Sequence, residues 1–210
     1  MNKRATSSEA KAAKKQLILQ SALDEFYEKG FTAARMDDIA KRCQLSKGTL
    51  YLYFNSKEAL FNGLIEAIAK PNQIKIIHML SQTSSAKSAL MMLTDFMPNI
   101  IEQGQLPKLM KILIGDSRYF PETIKSYRQH VIEKALNALT ALFTRSNQTG
   151  ETHIEHPDLM AKLVIAPVLF SAIWKAVFAE PDTLGFDLHQ LFKLHQKLML
   201  CALGLNQENP

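Results

Sequence analysis

Apolar residues in this chain recur at steps of three and four positions over almost its whole length. No stretch alternates apolar with polar residues as a half-buried strand would. Near the amino terminus, for example, Ile18, Ala22, Leu23 and Phe26 mark one face of a helix. Hydrophobic residues make up 47% of the 210 residues, which is enough to bury a core. The sequence therefore predicts an all-α protein of about nine helices.

Capping and breaking residues set the expected ends of the first helices. The first helix should open near Ser8 and close at Gly30, while Ser46 and Ser56 are good N-caps for a third and a fourth helix. Pro71 lies within the apolar pattern of the fourth helix. Because proline lacks an amide donor and clashes with the preceding turn, we expect this helix to kink or stop there and to act as a hinge.

The last two helices are expected at about 157–179 and 184–205, after a polar loop at 147–156. The first of them is mostly apolar but contains Lys162 and Lys175, and a lysine at the centre of a bilayer costs about 2.5–3.5 kcal/mol. We therefore favour a helix buried in a core or an oligomer interface, and expect no membrane association. An apolar stripe on the second helix indicates the same, so we expect a homodimer formed through these two helices.

Basic residues are concentrated in the first part of the chain. Residues 1–60 carry eleven Lys and Arg against seven Asp and Glu, whereas the whole chain carries 25 against 20. This distribution is typical of a module that binds a polyanion such as DNA, although a solvated basic face has the same composition. Cys43 and Cys201 lie far apart, and we expect free thiols in a cytoplasmic protein.

Residues 15–60 hold the pattern that is most informative about function. They read KQLILQSALDEFYEKGFTAARMDDIAKRCQLSKGTLYLYFNSKEAL, a long helix followed by two short helices with a tight connection at 42–46. This is the plan of a helix-turn-helix, in which the second short helix lies in the major groove of DNA.

The same segment resembles the TetR/AcrR family of one-component regulators over about 45 residues. The matching residues are Ile18, Leu19, Ala22, Phe26, Gly30, Phe31, Thr32, Ile39, Ala40, Leu45, Ser46, Gly48, Thr49, Leu50, Tyr51, Tyr53, Phe54, Ser56, Lys57, Glu58 and Leu60. The resemblance implies a three-helix DNA-binding domain with a basic arm at 1–56 and a larger helical effector-binding and dimerisation domain at 57–210. It also implies a repressor that leaves its operator DNA when a small molecule binds the second domain.

Two positions depart from the family pattern. The family usually has Ala-Gly in the turn where Cys43 and Gln44 stand, and a glutamine costs roughly a kcal/mol or less if the turn needs a positive φ. Arg35 stands where a capping Ser or Thr is usual. It cannot cap the second helix, but it is long enough to reach a phosphate.

Candidate DNA contacts lie at the start of the third helix. Lys47, Gly48 and Thr49 open it, and this end of a recognition helix usually faces base edges. Lysine donates to guanine acceptors, threonine contacts a phosphate or a thymine methyl group, and glycine permits close approach. The alternative for Lys47 is an ordinary solvated lysine.

Further contacts are expected from the end of the third helix onward. The resemblance implies phosphate contacts for Tyr51 and Tyr53. The alternative is that one of the two rings packs inside the domain, and Tyr51 is then the ring that we expect to be partly buried. Lys57 opens the fourth helix, where free amides already favour a phosphate. A basic arm and first turn, formed by Lys3, Arg4, Lys11, Lys14 and Lys15, is expected to add sequence-independent affinity, and a solvated tail is the alternative for Lys3 and Arg4.

The large carboxy-terminal region predicts a mostly apolar effector pocket within residues 57–180, because ligand sites in helical proteins lie between helices. Phe96, Met110, Phe170 and Trp174 are candidate lining residues, since they combine large rings with an adaptable thioether. Core packing is the alternative for each of them. The sequence does not identify the effector.

Other functions are less well supported. The sequence has no P-loop, dinucleotide fingerprint or nucleophile elbow, so we expect neither enzymatic activity nor a cofactor. A purely architectural DNA-binding protein would not need so large a nearly neutral region. A redox role for Cys43 lacks a neighbouring thiol, and His153 and His156 lack the zincin spacing. Activation instead of repression stays open, because DNA binding does not determine promoter position.

Overall fold

The computed structural model describes residues 3–180 and 185–206, with side chains from residue 8 onward. Within these ranges the chain forms nine helices and no strand, which confirms the predicted all-α class. The helices are α1 (Lys3–Ala33), α2 (Met36–Arg42), α3 (Lys47–Tyr53), α4 (57–81), α5 (Ala86–Glu102), α6 (Gln105–Asp116), α7 (121–148), α8 (Pro157–Phe178) and α9 (Leu188–Ala202).

The two serine caps form as expected. The Ser46 hydroxyl accepts a hydrogen bond from the Thr49 amide at 3.1 Å, and the Ser56 hydroxyl accepts one from the Ala59 amide at 3.1 Å. These bonds satisfy amides that have no partner within the first turn of a helix, so the two serines set where α3 and α4 begin.

Three helix ends differ from expectation. α1 begins at Lys3, before the expected start, although Gly30 interrupts its helical geometry with a φ of 77°. α7 extends to Gln148, into the expected loop. α9 begins at Leu188, where the Asp187 carboxylate accepts a hydrogen bond from the Gln190 amide at 2.9 Å. The expected break at 180–182 lies largely outside the described residues.

α4 does not stop at Pro71. The chain widens into a π-helical turn at Ile65–Ala69 and continues as an α-helix at Lys70–Ser81. The Asn72 side-chain amide donates to the Ile68 carbonyl at 2.8 Å. Because proline cannot donate to the carbonyl four residues earlier, that of Ala67, the helix passes it through the wider turn. Of the expected kink or stop, the helix therefore does not stop, and the disturbance takes the form of a π turn.

The buried apolar residues form two cores. The first core is built by α1, α2, α3, α6, the first half of α4 and the first half of α7 with Phe120 before it, and the second by α5, α8, α9 and the second halves of α4 and α7. Four phenylalanine rings fill the first core, with neighbouring centroids 4.6–6.3 Å apart. They are Phe26, Phe31, Phe61 and Phe120. α4 therefore joins the amino-terminal helices to the rest of the protein.

Polar contacts fasten α6 to α1. The Asp116 carboxylate accepts a hydrogen bond from the Phe31 amide at 2.9 Å, just beyond the glycine that interrupts α1. The Lys108 ammonium lies 2.5 Å from the Asp24 carboxylate. The carboxy-terminal helices thus hold both the middle and the end of α1.

α8 is long and apolar enough to cross a membrane when judged by length and composition, a test that core helices of soluble proteins also pass. Its lysines have polar partners within the protein. The Lys162 ammonium lies 2.9 Å from Asp158, and the Lys175 ammonium donates to the carbonyls of Ile101 at 3.0 Å and Glu102 at 3.2 Å. The Lys175 bonds hold α8 against the end of α5, as in a packed helical domain.

Candidate nucleic-acid interface and effector cavity

A tight turn connects α2 to α3. Among the described residues, Gln44 is the one non-glycine residue with a positive φ, at 54°. Its amide donates to the Lys41 carbonyl at 3.0 Å, and the Leu45 amide donates to the Ala40 carbonyl at 2.9 Å. These two bonds define a Schellman C-cap. In this motif the residue that follows the cap, here Gln44, adopts the left-handed conformation. The turn therefore requires the conformation that a glycine adopts more easily.

The amino end of α3 is open to solvent around Gly48, where an added Cβ would meet only the Ser46 hydroxyl, at 4.0 Å. The Thr49 hydroxyl lies 2.8 Å from the same Ser46 oxygen. The exposed Lys47 ammonium lies 2.8 Å from one Asp37 carboxylate oxygen and 3.2 Å from the other. The first cation of α3 is thus paired with an acid of α2.

The two tyrosines of α3 are placed opposite to expectation. Tyr51 is 42% exposed, whereas Tyr53 packs against the first core. Leu50 is fully buried, and position 53 lies on its face of the helix because side chains three residues apart are neighbours. The expectation that Tyr51 is the more buried ring is therefore wrong.

Lys57 opens α4, but its ammonium is engaged within the protein. It donates to the Phe31 carbonyl at 2.7 Å and to the Thr32 carbonyl at 3.1 Å, and lies 4.9 Å from the centroid of the Phe31 ring. It therefore ties α4 to the end of α1. An ammonium has three N–H donors, so one donor remains for a phosphate.

Other basic side chains near α2 are paired with carboxylates. Arg42 donates to Glu28 and lies 3.2 Å from Glu25, whose other oxygen is 2.6 Å from Lys29. Arg35 is exposed and makes no capping hydrogen bond to α2, as expected. Arg35 therefore extends from the start of α2 without serving its cap.

The basic arm is described only in part. The side chains of Lys3 and Arg4 lie outside the described residues, whereas Lys11, Lys14 and Lys15 are exposed on α1. The described part of the arm is therefore a lysine-bearing helical turn beside the helix-turn-helix.

Leu52 is an exposed residue of α3 that the sequence analysis did not single out. It lies on α3 and is 86% exposed, the most exposed large apolar side chain among the described residues. Its position between the core residues Leu50 and Phe54 was the available signal, because it cannot share their buried face. An exposed apolar group on a recognition helix can contact thymine methyl groups.

A cavity of about 210 Å³ lies between α4, α5, α6, α7 and α8. Its lining consists of Ala69, Asn72, Gln73, Ile76, Met97, Ile100, Leu106, Met110, Tyr127, Val131, Ile132, Ala135, Leu136, Lys162, Ile165, Val168 and Leu169. Most of these side chains are aliphatic. Burial raises the pKa of Tyr127 to about 12, so its phenol is neutral and can donate a hydrogen bond.

Of the four pocket candidates from the sequence, Met110 lines this cavity and the other three do not. Phe170 and Trp174 form an aromatic cluster with Phe178 on the outer side of α8, with ring centroids 5.7 and 5.5 Å apart. Positions 170, 174 and 178 are four residues apart and so share one face of the helix. Phe96 lies instead beneath the Lys75 ammonium, 4.3 Å from its ring centroid.

The alternative sensor residues have ordinary surroundings. Cys43 is buried, its thiol donates to the Ile39 carbonyl at 3.1 Å, and burial raises its pKa, which disfavours the reactive thiolate. His156 lies 3.8 Å from Glu155, and His153 is exposed. Within the described residues, no group of three or more His, Cys, Asp or Glu residues is arranged to hold a metal ion.

A helix-turn-helix with an exposed recognition helix, joined to a helical region that encloses an apolar cavity, defines a class: DNA-binding regulators with a separate sensor domain. Comparison with protein families gives the particular family. The model of bacterial regulatory proteins of the tetR family matches residues 18–64, and that of the AefR-like transcriptional repressor C-terminal domain matches residues 88–186. The chain belongs to the TetR family of transcriptional regulators.

Relatives of known sequence match part of the chain. The uncharacterized HTH-type transcriptional regulator YuxN of Bacillus subtilis is 29% identical over 134 residues, which are 62% of this chain and 46% of that protein. The HTH-type transcriptional regulator RutR of Escherichia coli is 44% identical over 61 residues, 29% of either chain. The chain thus matches less than half the length of these relatives.

Solved structures match nearly the whole fold. FadR of Bacillus subtilis, in complex with stearoyl-CoA, has a TM-score of 0.70 at 18% identity, over 90% of this chain and 98% of that one. NalD of Pseudomonas aeruginosa, described as the secondary repressor of the MexAB-OprM multidrug efflux pump, has a TM-score of 0.71 at 19% identity, over 93% and 98%. At these identities the likeness establishes the fold.

Proposed function

We propose that this protein is a homodimeric repressor that binds operator DNA through α3 and leaves it when an apolar small molecule enters the cavity. The position of the cavity carries the proposal. Its lining includes residues of α4 and α6, and the same two helices enter the core of the DNA-binding helices. A ligand that binds better to one arrangement of α4 or α6 therefore shifts the helix-turn-helix with it.

On DNA, Lys47, Gly48 and Thr49 are assigned to base edges because they open α3 and leave its amino end accessible. Leu52 is assigned to thymine methyl groups because an apolar side chain so exposed gains from being covered. These contacts would carry the sequence preference.

Phosphate contacts are assigned to the residues at the edges of the helix-turn-helix. Tyr51 and Tyr53 each present a hydroxyl, Arg35 projects from the start of α2, and Lys57 retains one donor. These contacts would position the protein without carrying sequence information.

Dimerisation is assigned to α8 and α9. Leu163 and Val177 on α8, and Leu194 and Leu198 on α9, are large apolar side chains that lie more than half exposed. Exposed apolar groups in such numbers mark an interface, and two helices from each subunit close a four-helix interface with two-fold symmetry.

The ligand is assigned to the apolar class because the cavity offers few polar partners. An engineered cavity of roughly 150 Å³ takes up benzene, so 210 Å³ fits a small aromatic or a short aliphatic compound. FadR is described in complex with stearoyl-CoA, whose acyl chain is apolar, although that molecule also carries a charged nucleotide portion and is far larger than this cavity.

The functional domains are proposed as 1–56 and 57–210, with α4 as the link between them. The π turn at Ile65–Ala69 adjoins the cavity through Ala69, so the hinge expected at Pro71 is proposed for this turn. The same proposal places the protein in the cytoplasm and assigns it no enzymatic activity.

The test starts from the DNA fragments that the purified protein retains from genomic DNA of its source. We expect a footprint with two half-sites about 34–36 Å apart and a dimer by light scattering at micromolar concentration. Apolar compounds that raise the melting temperature should release this DNA. A monomer, or a dimer that retains no fragment above random DNA, would contradict the proposal.

A further inference from the structure

The ion pair between Asp37 and Lys47 lies within the proposed DNA-binding surface. Asp37 stands in the first turn of α2 and Lys47 is the first residue of α3, so the pair links the two helices of the helix-turn-helix. The Lys47 ammonium also lies 6.0 Å from the centroid of the Tyr51 ring. The first cation of the recognition helix thus has internal partners before DNA arrives.

The hydrogen bond between the two groups stabilises the charge on each. It lowers the pKa of Asp37 and raises the pKa of Lys47, so both are ionised at neutral pH. Both side chains are exposed, and exposed pairs are weak and screened by salt. A DNA phosphate can therefore compete with Asp37 for the ammonium.

The neighbouring acid is paired differently. Asp38 lies 3.4 Å from Lys29 on α1 and 3.9 Å from Lys41 on α2. Among the ion pairs of the described residues, the pair of Asp37 with Lys47 is the one that reaches α3. The two adjacent aspartates therefore carry the same charge, but Asp37 is paired with a residue of α3 and Asp38 with residues of α1 and α2.

Random DNA and operator DNA place different demands on this pair. Affinity for random DNA comes from phosphate neutralisation, and the Asp37 carboxylate cancels the charge that Lys47 would bring to it. On an operator, the ammonium has three donors and can keep Asp37 while donating to base acceptors.

From this difference we infer that Asp37 is a specificity-determining residue, which acts through Lys47 by weakening binding to random DNA more than to the operator. The inference rests on the proposed DNA binding by α3. Specificity is a difference of two affinities, and a carboxylate that opposes the wrong complex increases that difference.

The test compares Asp37→Asn with the wild type on operator and random duplexes at several salt concentrations. We expect random-DNA affinity to rise about three- to tenfold and operator affinity to change by about twofold or less. The salt slope on random DNA should steepen by about one unit per half-site, because Lys47 becomes available to a phosphate.

Three further variants separate this role from others. Asp38→Asn removes the same charge one residue away, and Asp37→Glu should keep the pair and the wild-type discrimination. In a Lys47→Gln background, Asp37→Asn should no longer change the ratio of the two affinities. Circular dichroism and the melting temperature check that each variant is folded.

The outcomes of these experiments distinguish a failure of the inference from a failure of the proposed function. An equal loss of discrimination in Asp38→Asn, or an unchanged ratio in Asp37→Asn, would overturn the inference while leaving the proposed function standing. A wild-type protein that binds no duplex DNA would overturn both. A loss of discrimination confined to Asp37→Asn, and restored in Asp37→Glu, would support the role of Asp37.

Discussion

The DNA-binding helices and the carboxy-terminal helices are both held by apolar cores, but their surfaces and interiors differ. On α2 and α3, the large apolar side chains that are exposed are Tyr51 and Leu52, and around them lie ion pairs. α8 and α9 carry eight such side chains, namely Leu159, Leu163, Leu169, Phe170, Val177, Phe178, Leu194 and Leu198.

The interiors differ as well. Where Gly63 of α4 meets the first core, an added Cβ would lie 2.7 Å from the Phe54 ring, so the helices there are in close contact. The second region contains the mostly aliphatic cavity of 210 Å³, whereas a larger pocket of about 390 Å³ beside α1 and α4 is lined partly by polar side chains such as Gln16, Gln20 and Glu66. The comparison teaches that the first region holds its exposed charged groups in ion pairs, whereas the second offers apolar surface and an apolar cavity to partners.

The largest effect on stability is expected at Phe120, which the carboxy-terminal region contributes to the first core. Phe120 precedes α7 but packs against Phe31 and Phe61, with ring centroids 4.8 and 4.6 Å away. Phe120→Ala should lower the free energy of unfolding by about 3–5 kcal/mol and reduce hydrogen-exchange protection in α1–α3.

Phe192→Ala is the matched control, because Phe192 is equally buried but belongs to the second core. It should destabilise the protein by a similar amount while first reducing protection in α5 and α9. If Phe120→Ala left protection of α1–α3 unchanged, the two regions would be independent and the proposed coupling would lose its basis.

The sequence predicted the features that depend on residues close together in the chain better than those that depend on residues far apart. The caps of α3 and α4 depend on residues three positions apart, so Ser46 and Ser56 could be identified directly. The cavity depends on helices that are distant in sequence, since both Ile76 of α4 and Val168 of α8 line it. Phe170 and Trp174 looked like lining residues because composition does not show which face of α8 turns inward.

The second prediction separates positioning from base recognition on the DNA surface. Lys47→Ala should cost about 1–3 kcal/mol of binding free energy on the operator and little on random DNA. Lys57→Ala should weaken binding to both DNAs about equally and lower the salt slope by about one unit per half-site.

Because Lys57 also donates to two carbonyls of α1, its alanine variant should lose some thermal stability, whereas Lys47→Ala should not. Binding isotherms for both variants on both DNAs at several salt concentrations distinguish phosphate positioning from base recognition. The roles are reversed if Lys57→Ala relaxes sequence preference while Lys47→Ala leaves it intact.

The third prediction concerns an anchor of the carboxy-terminal region. Burial raises the pKa of Glu151, but hydrogen bonds from the Ser85 hydroxyl and the amides of Ala86 and Lys87 outweigh it, so its pKa is lowered. The folded state thus favours the carboxylate. The stabilisation is present above the unfolded pKa of about 4.3 and is lost as the pH falls through the lower folded pKa.

Glu151→Gln should therefore lower the free energy of unfolding by about 1 kcal/mol at pH 7 and by less than half of that at pH 3. Urea unfolding at the two pH values measures the difference. Glu155→Gln, which changes an exposed residue of the same loop, should have little effect at either pH. A Glu151→Gln effect that does not depend on pH would contradict the assignment of a charged cap.

The smallest effect is expected at the turn between α2 and α3, where a non-glycine residue has a positive φ. Gln44 is exposed and held at a φ of 54°, so its side chain contributes strain without burial. Gln44→Gly should raise the free energy of unfolding by about 0.5–1 kcal/mol, because relief of left-handed strain exceeds the entropy of a glycine in the unfolded chain. Gln44→Ala keeps the Cβ and should give no gain, which makes it the matched control. Urea unfolding midpoints compare the three proteins, and operator affinity should be the same for all of them because the Schellman bonds of Gln44 and Leu45 come from the backbone. A Gln44→Gly protein no more stable than the wild type would show that the glutamine is accommodated without strain.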